Sequence, residues 1–114
     1  DALPISQFAW TRGEPTYYSS SNLVRRGFCN QCGTPLTYEA PDGMALAAGA
    51  FDQPERVPPV LQHGVERKVG FVDALAALPA QRTEEDTAAG DFLAAIVSRQ
   101  HPDHDTPHWP PQSR

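Results

Sequence analysis

Phe28-Cys29-Asn30-Gln31-Cys32-Gly33-Thr34-Pro35-Leu36 is the stretch on which the reading of this chain turns. Zinc takes thiolate and imidazole ligands in a tetrahedral array, and two cysteines separated by two residues close on one metal from a single tight turn. Gly33 follows the second cysteine, where such a turn often needs positive φ, which glycine adopts without steric cost. The alternation Leu36-Thr37-Tyr38 beyond it reads as a strand. The rival reading, a thioredoxin-like redox pair, needs the first thiol at a helix N-terminus, where the dipole lowers its pKa. Inert thiols are a third. The strand pattern favours Cys29 and Cys32 as half of a structural zinc site in a small β-rich domain.

Outward from this turn, residues 7 to 50 read as a run of short strands. Phe8-Ala9-Trp10-Thr11 is apolar and closed by the turn cluster Arg12-Gly13-Glu14-Pro15. Thr16-Tyr17-Tyr18-Ser19 is β-branched and aromatic, and Leu23 to Phe28 leads into the cysteine pair. Leu36 to Glu39 alternates with period two before the hairpin signal Pro41-Asp42-Gly43. Met44 to Ala50 is a small-residue strand candidate. Turn signals about ten residues apart suggest an antiparallel all-β unit. A proline-rich connection, Asp52 to Pro59, precedes a further strand candidate, Val60 to Val65. One helix is expected, from Glu84 to Arg99: Thr83 and Asp86 fit a capping box, and Phe92, Leu93, Ile96 and Val97 define an apolar face. Gly90 weakens it by about 1 kcal/mol relative to alanine.

Composition narrows the function classes. With 114 residues the chain holds at most one modest domain. A net charge of −5 argues against nucleic-acid or anionic-membrane partners, since Arg25-Arg26 and Arg67-Lys68 are the only basic pairs. No apolar run approaches the ~20 residues that span a bilayer, and no signal peptide is visible. Two cysteines so close together make a poor disulfide staple, which favours an intracellular metal or redox role and a cytoplasmic location. The chain starts at Asp1 without an initiator methionine, and residues 1–5 read like one frame of a sequencing-adapter oligonucleotide. The expectation is a truncated reading frame: a spurious or disordered leader over residues 1–6, the C-terminal part of a zinc-binding domain over 7–82, a helix over 83–100 and a disordered tail over 101–114.

Two cysteines do not complete a tetrahedral site. His63 is the one histidine inside the expected core, where a hydrogen-bonded core role is the plainer reading. His101, His104 and His108 lie among Asp103 and Asp105, a mildly chelating tail too irregular to preorganise ligands.

Phe28-Cys-x-x-Cys-Gly-Thr-Pro-Leu36 resembles the signature of the glutathione-dependent formaldehyde-activating enzyme family, which includes centromere protein V. Trp10 to Pro15, Tyr18-Ser19-Ser20, Ala48 to Glu55, Pro59-x-x-x-His63 and Leu78-Pro79 resemble its flanking elements, so the likeness covers residues 7 to 86. It implies a β-tent fold: small antiparallel sheets pinned by a structural zinc on four cysteines, two of them matching Cys29 and Cys32 and two from an N-terminal Cys-x-Cys. It also implies a second, catalytic zinc on a Cys-x-Cys-x-x-Cys segment, and a small thiol such as glutathione as partner. Neither further cysteine segment occurs in this sequence, and Phe71 stands where the family usually has tryptophan.

The fold class expected is therefore mainly β, β-tent-like around a zinc knuckle, with one C-terminal α-helix and a disordered tail. The function implied is the zinc-binding domain of a carbon–sulfur lyase acting on small thiol–aldehyde adducts (S-hydroxymethylglutathione-like), lacking the catalytic zinc segment. The alternative is a non-catalytic zinc-stabilised binding module. Whether this chain is an enzyme stays open, and no residue is assigned a catalytic role. Tyr17, Tyr18, Arg25 and His63 are candidates to line a pocket, each more simply read as a packing or surface residue.

Overall fold

The computed structural model describes residues 2–3, 8–86, 88 and 90–110. The chain divides into two compact units, Asp1–Pro58 with Arg99–Arg114, and Pro59–Ser98.

The first unit is built on an antiparallel sheet. Its strands are β1 (Ala2–Leu3), β2 (Thr16–Ser19), β3 (Arg25–Phe28), β4 (Pro35–Ala40) and β5 (Gly43–Leu46), in spatial order β1-β5-β4-β3-β2. β2 to β5 form a four-stranded meander, the arrangement that short strands joined by tight turns adopt without a crossover. The Pro41-Asp42-Gly43 signal does make the β4–β5 turn, with Ala40 paired to Gly43. Between Gly27 and Phe28 the register shifts, so that Gly27 faces Thr37 while Phe28 faces Pro35. This bulge bends β3 just before Cys29. Of the expected leader, Ala2 and Leu3 pair with Ala45 and Met44, and residues 1 and 4–6 lie outside the described residues.

The pairing places Tyr17, Ser19, Arg25, Gly27, Thr37, Glu39, Met44 and Leu46 on one face of the sheet. The core sits there and is small: Met44 is the buried hydrophobic residue, beside buried Pro15, Gly27 and Thr37. A polar network fills what apolar side chains would occupy in a larger domain. The Thr37 hydroxyl accepts the Gly27 N–H at 3.0 Å and donates to Glu39 Oε2 at 3.0 Å. Glu39 Oε1 receives Arg25 Nη2 at 3.0 Å, and the Arg25 guanidinium lies 3.7 Å from the centroid of the Tyr17 ring. On the opposite face Arg26 lies over the ring of its cross-strand partner Tyr38.

Burial pushes the Tyr17 phenol above its ordinary value of 10.0, the Glu39 charge adds to this, and Arg25 opposes it. The folded chain thus holds this proton longer than the unfolded chain. The stability that this group adds is full below pH 10.0 and is lost as pH climbs through the raised value. In Glu39→Gln the phenol is expected to titrate closer to its ordinary value, read by ultraviolet titration; an unmoved curve refutes the coupling. Because Arg25 is half exposed, its ion pair with Glu39 adds only about 0.2–1 kcal/mol.

Several elements depart from expectation. Phe8–Thr11 has no strand structure, β5 stops at Leu46, and Ala48–Ala50 is a 3-10 turn. The alanines and glycine there have little β-propensity and little side chain to bury. In the second unit Val60–Gly64 is irregular rather than a strand, and Val65–Arg67 is a 3-10 turn. The α-helix α1 runs only from Gly90 to Ala95, with a separate 3-10 turn at Thr83–Glu85 that has no side-chain cap. Gly90 opens α1 instead of sitting inside a longer helix, where its backbone entropy would count against it. The expected apolar face is largely uncovered, with Leu93 half-buried and Phe92, Ile96 and Val97 exposed. Among the described residues no helix is long and apolar enough to cross a membrane.

Candidate metal centre

Residues 29–34 form a closed knuckle between β3 and β4. The Cys29 N–H donates to the Thr34 carbonyl at 2.9 Å, and the Gly33 N–H returns to the Cys29 carbonyl at 2.7 Å. Gly33 takes φ +81°, the left-handed conformation that the spacing anticipated. The Cys32 Sγ is 3.0 Å from the Thr34 hydroxyl. Burial pushes the Cys29 thiol up, but the backbone N–H groups of Gln31 and Cys32 and the side chains of Cys32 and Trp109 all hydrogen-bond its sulfur and outweigh burial. The net effect holds the thiol below its ordinary range. No helix begins at Cys29: the knuckle leads into β4.

Backbone amides aimed at a thiolate sulfur suit a metal-bound thiolate, and two sulfurs in one tight turn suit a shared tetrahedral ion. The donor set therefore fits half of a zinc site. Among the described residues no group of three or more His, Cys, Asp or Glu side chains is placed to hold a metal. His63 is exposed in an irregular stretch of the second unit, not in a strand core as expected. His101 is engaged by the Pro102 carbonyl at 2.7 Å and the Thr106 hydroxyl at 3.0 Å, and His104 pairs with Asp103 at 3.4 Å.

A cleft of about 760 Å³ lies beside the knuckle, and its walls include Phe8, Trp10, Cys29, Cys32, Phe51 and Trp109. Tyr17, Tyr18, Arg25 and His63 do not line it. Trp109 and Gln100 were missed as cleft residues because they come from the irregular tail, where no periodicity marks a residue as packed. Aromatic residues in such a segment were the available signal.

A family model described as glutathione-dependent formaldehyde-activating enzyme matches residues 2–67, more than half of the chain. The chain belongs to this family. Its matched span holds every strand of the sheet and the whole knuckle, and ends in the second unit at Arg67. No curated protein and no solved structure matches the chain. The likeness read from the knuckle and its flanks thus names the right family, over a span that begins and ends earlier than residues 7 to 86. Membership carries with it glutathione-dependent formaldehyde-activating or related lyase chemistry at the level of the family.

Proposed function

We propose that this chain is a zinc-binding domain of a carbon–sulfur lyase-type enzyme that handles small thiol–aldehyde adducts such as S-hydroxymethylglutathione, with Cys29 and Cys32 as two ligands of a structural zinc. The observation that carries the reading is the knuckle itself: a Cys-x-x-Cys turn whose backbone amides point at Cys29 Sγ, inside the span matched by the family model. Zinc, when bound, would supply a tetrahedral cross-link that ties the β3–β4 turn to its other ligands.

The chain's own residues do the rest. Gly33 permits the reversal that closes the knuckle, and the Gln31 and Cys32 amides lower the Cys29 thiol pKa against the opposing effect of burial. The bulge at Gly27 and Phe28 sets the angle at which β3 delivers Cys29. Phe8, Trp10, Phe51 and Trp109 wall the cleft beside the pair. No residue here is given a catalytic role, and the catalytic zinc of the family would need cysteines beyond the two this sequence has. That count favours a second reading for this chain by itself, a zinc-stabilised binding module without lyase activity.

The test is to follow formaldehyde and glutathione by nuclear magnetic resonance with and without the zinc-loaded chain. Faster exchange between the free thiol and its hydroxymethyl adduct, lost in Cys32→Ser, supports the lyase. Unchanged exchange with zinc retained supports the binding module and overturns the lyase reading for this chain.

A further inference from the structure

Residues 99–110 carry neither helix nor strand, belong to the first unit and line the cleft beside the cysteine knuckle. Residues 111–114 lie outside the described residues. Three separate attachments hold the tail. Trp109 lines the cleft together with Cys29 and Cys32, and its side chain is among the groups that lower the Cys29 thiol pKa. The Thr34 hydroxyl, which contacts Cys32 Sγ, also reaches Gln100 Oε1 at 3.5 Å. Arg12 donates to the Thr106 carbonyl and pairs with the Asp105 carboxylate. Within the tail, His101 packs edge-on against Trp109 with centroids 5.1 Å apart and reaches the Thr106 hydroxyl. The tail therefore lines the cleft beside both sulfurs and bonds Thr34, which contacts Cys32 Sγ.

We propose that residues 99–110 form a strap across the Cys29–Cys32 turn, latched by Arg12 and Asp105, that governs the access of solutes to the two sulfurs. Arg12 is largely covered whereas the Asp105 side chain is 87% exposed, so the latch has one fixed half and one half that water and salt reach. Such a pair is screened by salt and opens without unfolding the sheet. Trp109 is a positioning residue: it lines the cleft beside Cys29 and packs on His101 of the strap. The strap stands on these contacts whether the sulfurs hold zinc or not, and it is independent of the lyase reading.

The experiment measures how fast a bulky polyethylene glycol–maleimide and the small N-ethylmaleimide modify the cysteines of the full chain, purified without chelator. Asp105→Asn removes the charge of the latch at a side chain that is largely exposed to solvent. It is expected to raise the rate for the bulky reagent by about tenfold, with a smaller change for the small one. Arg12→Gln should match it, and the double variant should be no faster than either single one. Salt should speed the parent protein and leave the variants unchanged. Trp109→Phe, which keeps an aromatic ring but removes the N–H, should speed modification at Cys29 more than at Cys32. Equal bulky-reagent rates in the parent and Asp105→Asn, with no salt effect, overturn the strap. Circular dichroism of each variant separates release of the tail from loss of the sheet.

Discussion

Cys29→Ser is expected to leave the chain without zinc, as measured by elemental analysis beside the parent protein, and to lower its thermal midpoint by the largest margin of any single change. The reasoning starts from the size of the core. Met44 is the buried hydrophobic residue of the described chain, and the rest of the sheet interior is Thr37, Gly27 and Pro15. Burial on this scale cannot offset much conformational entropy, so a small domain of this kind depends on a cross-link. A structural zinc contributes about 10–16 kcal/mol of apparent binding energy in small zinc domains, comparable to the whole stability of an ordinary one at about 5–15 kcal/mol. A serine hydroxyl does not replace a thiolate as a ligand, and Cys32→Ser should do the same. His101→Ala should keep the metal, because His101 is turned to Pro102 and Thr106. One zinc per chain would locate the remaining donors within it, and one per two chains would mean two knuckles sharing an ion. A parent protein with no zinc, or a Cys29→Ser variant that retains it, refutes the assignment.

Gly27→Ala is expected to be the most damaging change away from the cysteines. A Cβ on Gly27 would overlap the Thr37 hydroxyl and sit 3.1 Å from Pro15 Cβ and 3.2 Å from the Tyr17 ring. Pro15 and Thr37 are buried, and the Thr37 hydroxyl cannot withdraw without giving up its bonds to the Gly27 N–H and Glu39. Overpacking of this kind costs about 1–3 kcal/mol, and a buried amide left without an acceptor costs about 1–3 kcal/mol more. For a domain of this size each kcal/mol lowers the thermal midpoint by about 4–8 °C. Gly49→Ala is the control, since a Cβ there meets nothing within 4 Å; it should stay within about 0.5 kcal/mol of the parent. Equal midpoints for the Gly27 and Gly49 variants would show that the close approach is not what holds β3 to β4. Because the β3 bulge delivers Cys29, Gly27→Ala should also weaken metal retention, linking sheet packing to the knuckle.

Legibility in the sequence followed the range of the forces involved. Thr16–Ser19, Leu23–Phe28 (β3 within it starts at Arg25) and Leu36–Glu39 were readable as strands because their signals are local: β-branched and aromatic residues, alternation, and turn residues at their ends. Met44–Ala50 and Val60–Val65 were not, since a short apolar run makes a strand only if a neighbour supplies the ladder. β4 does so as far as Leu46 and no strand does so for Val60. The helix expected over Glu84–Arg99 contracted to Gly90–Ala95 for a related reason. Its apolar face is largely uncovered, and an isolated helix of this length gains too little from its own hydrogen bonds to extend.

By itself the sequence determined the β class, the knuckle and the family. Two cysteines separated by two residues with Gly33 behind them fit a tight turn, and that local geometry needs no distant partner. Only the tertiary structure decided that Thr37 would accept the Gly27 amide across the sheet, that Tyr17, Arg25 and Glu39 would share one face, and that Trp109, far along the chain, would reach Cys29. Those contacts depend on strand register and on where the tail returns. Both are set by a balance of burial and loop closure over the whole unit, which local residue patterns do not encode.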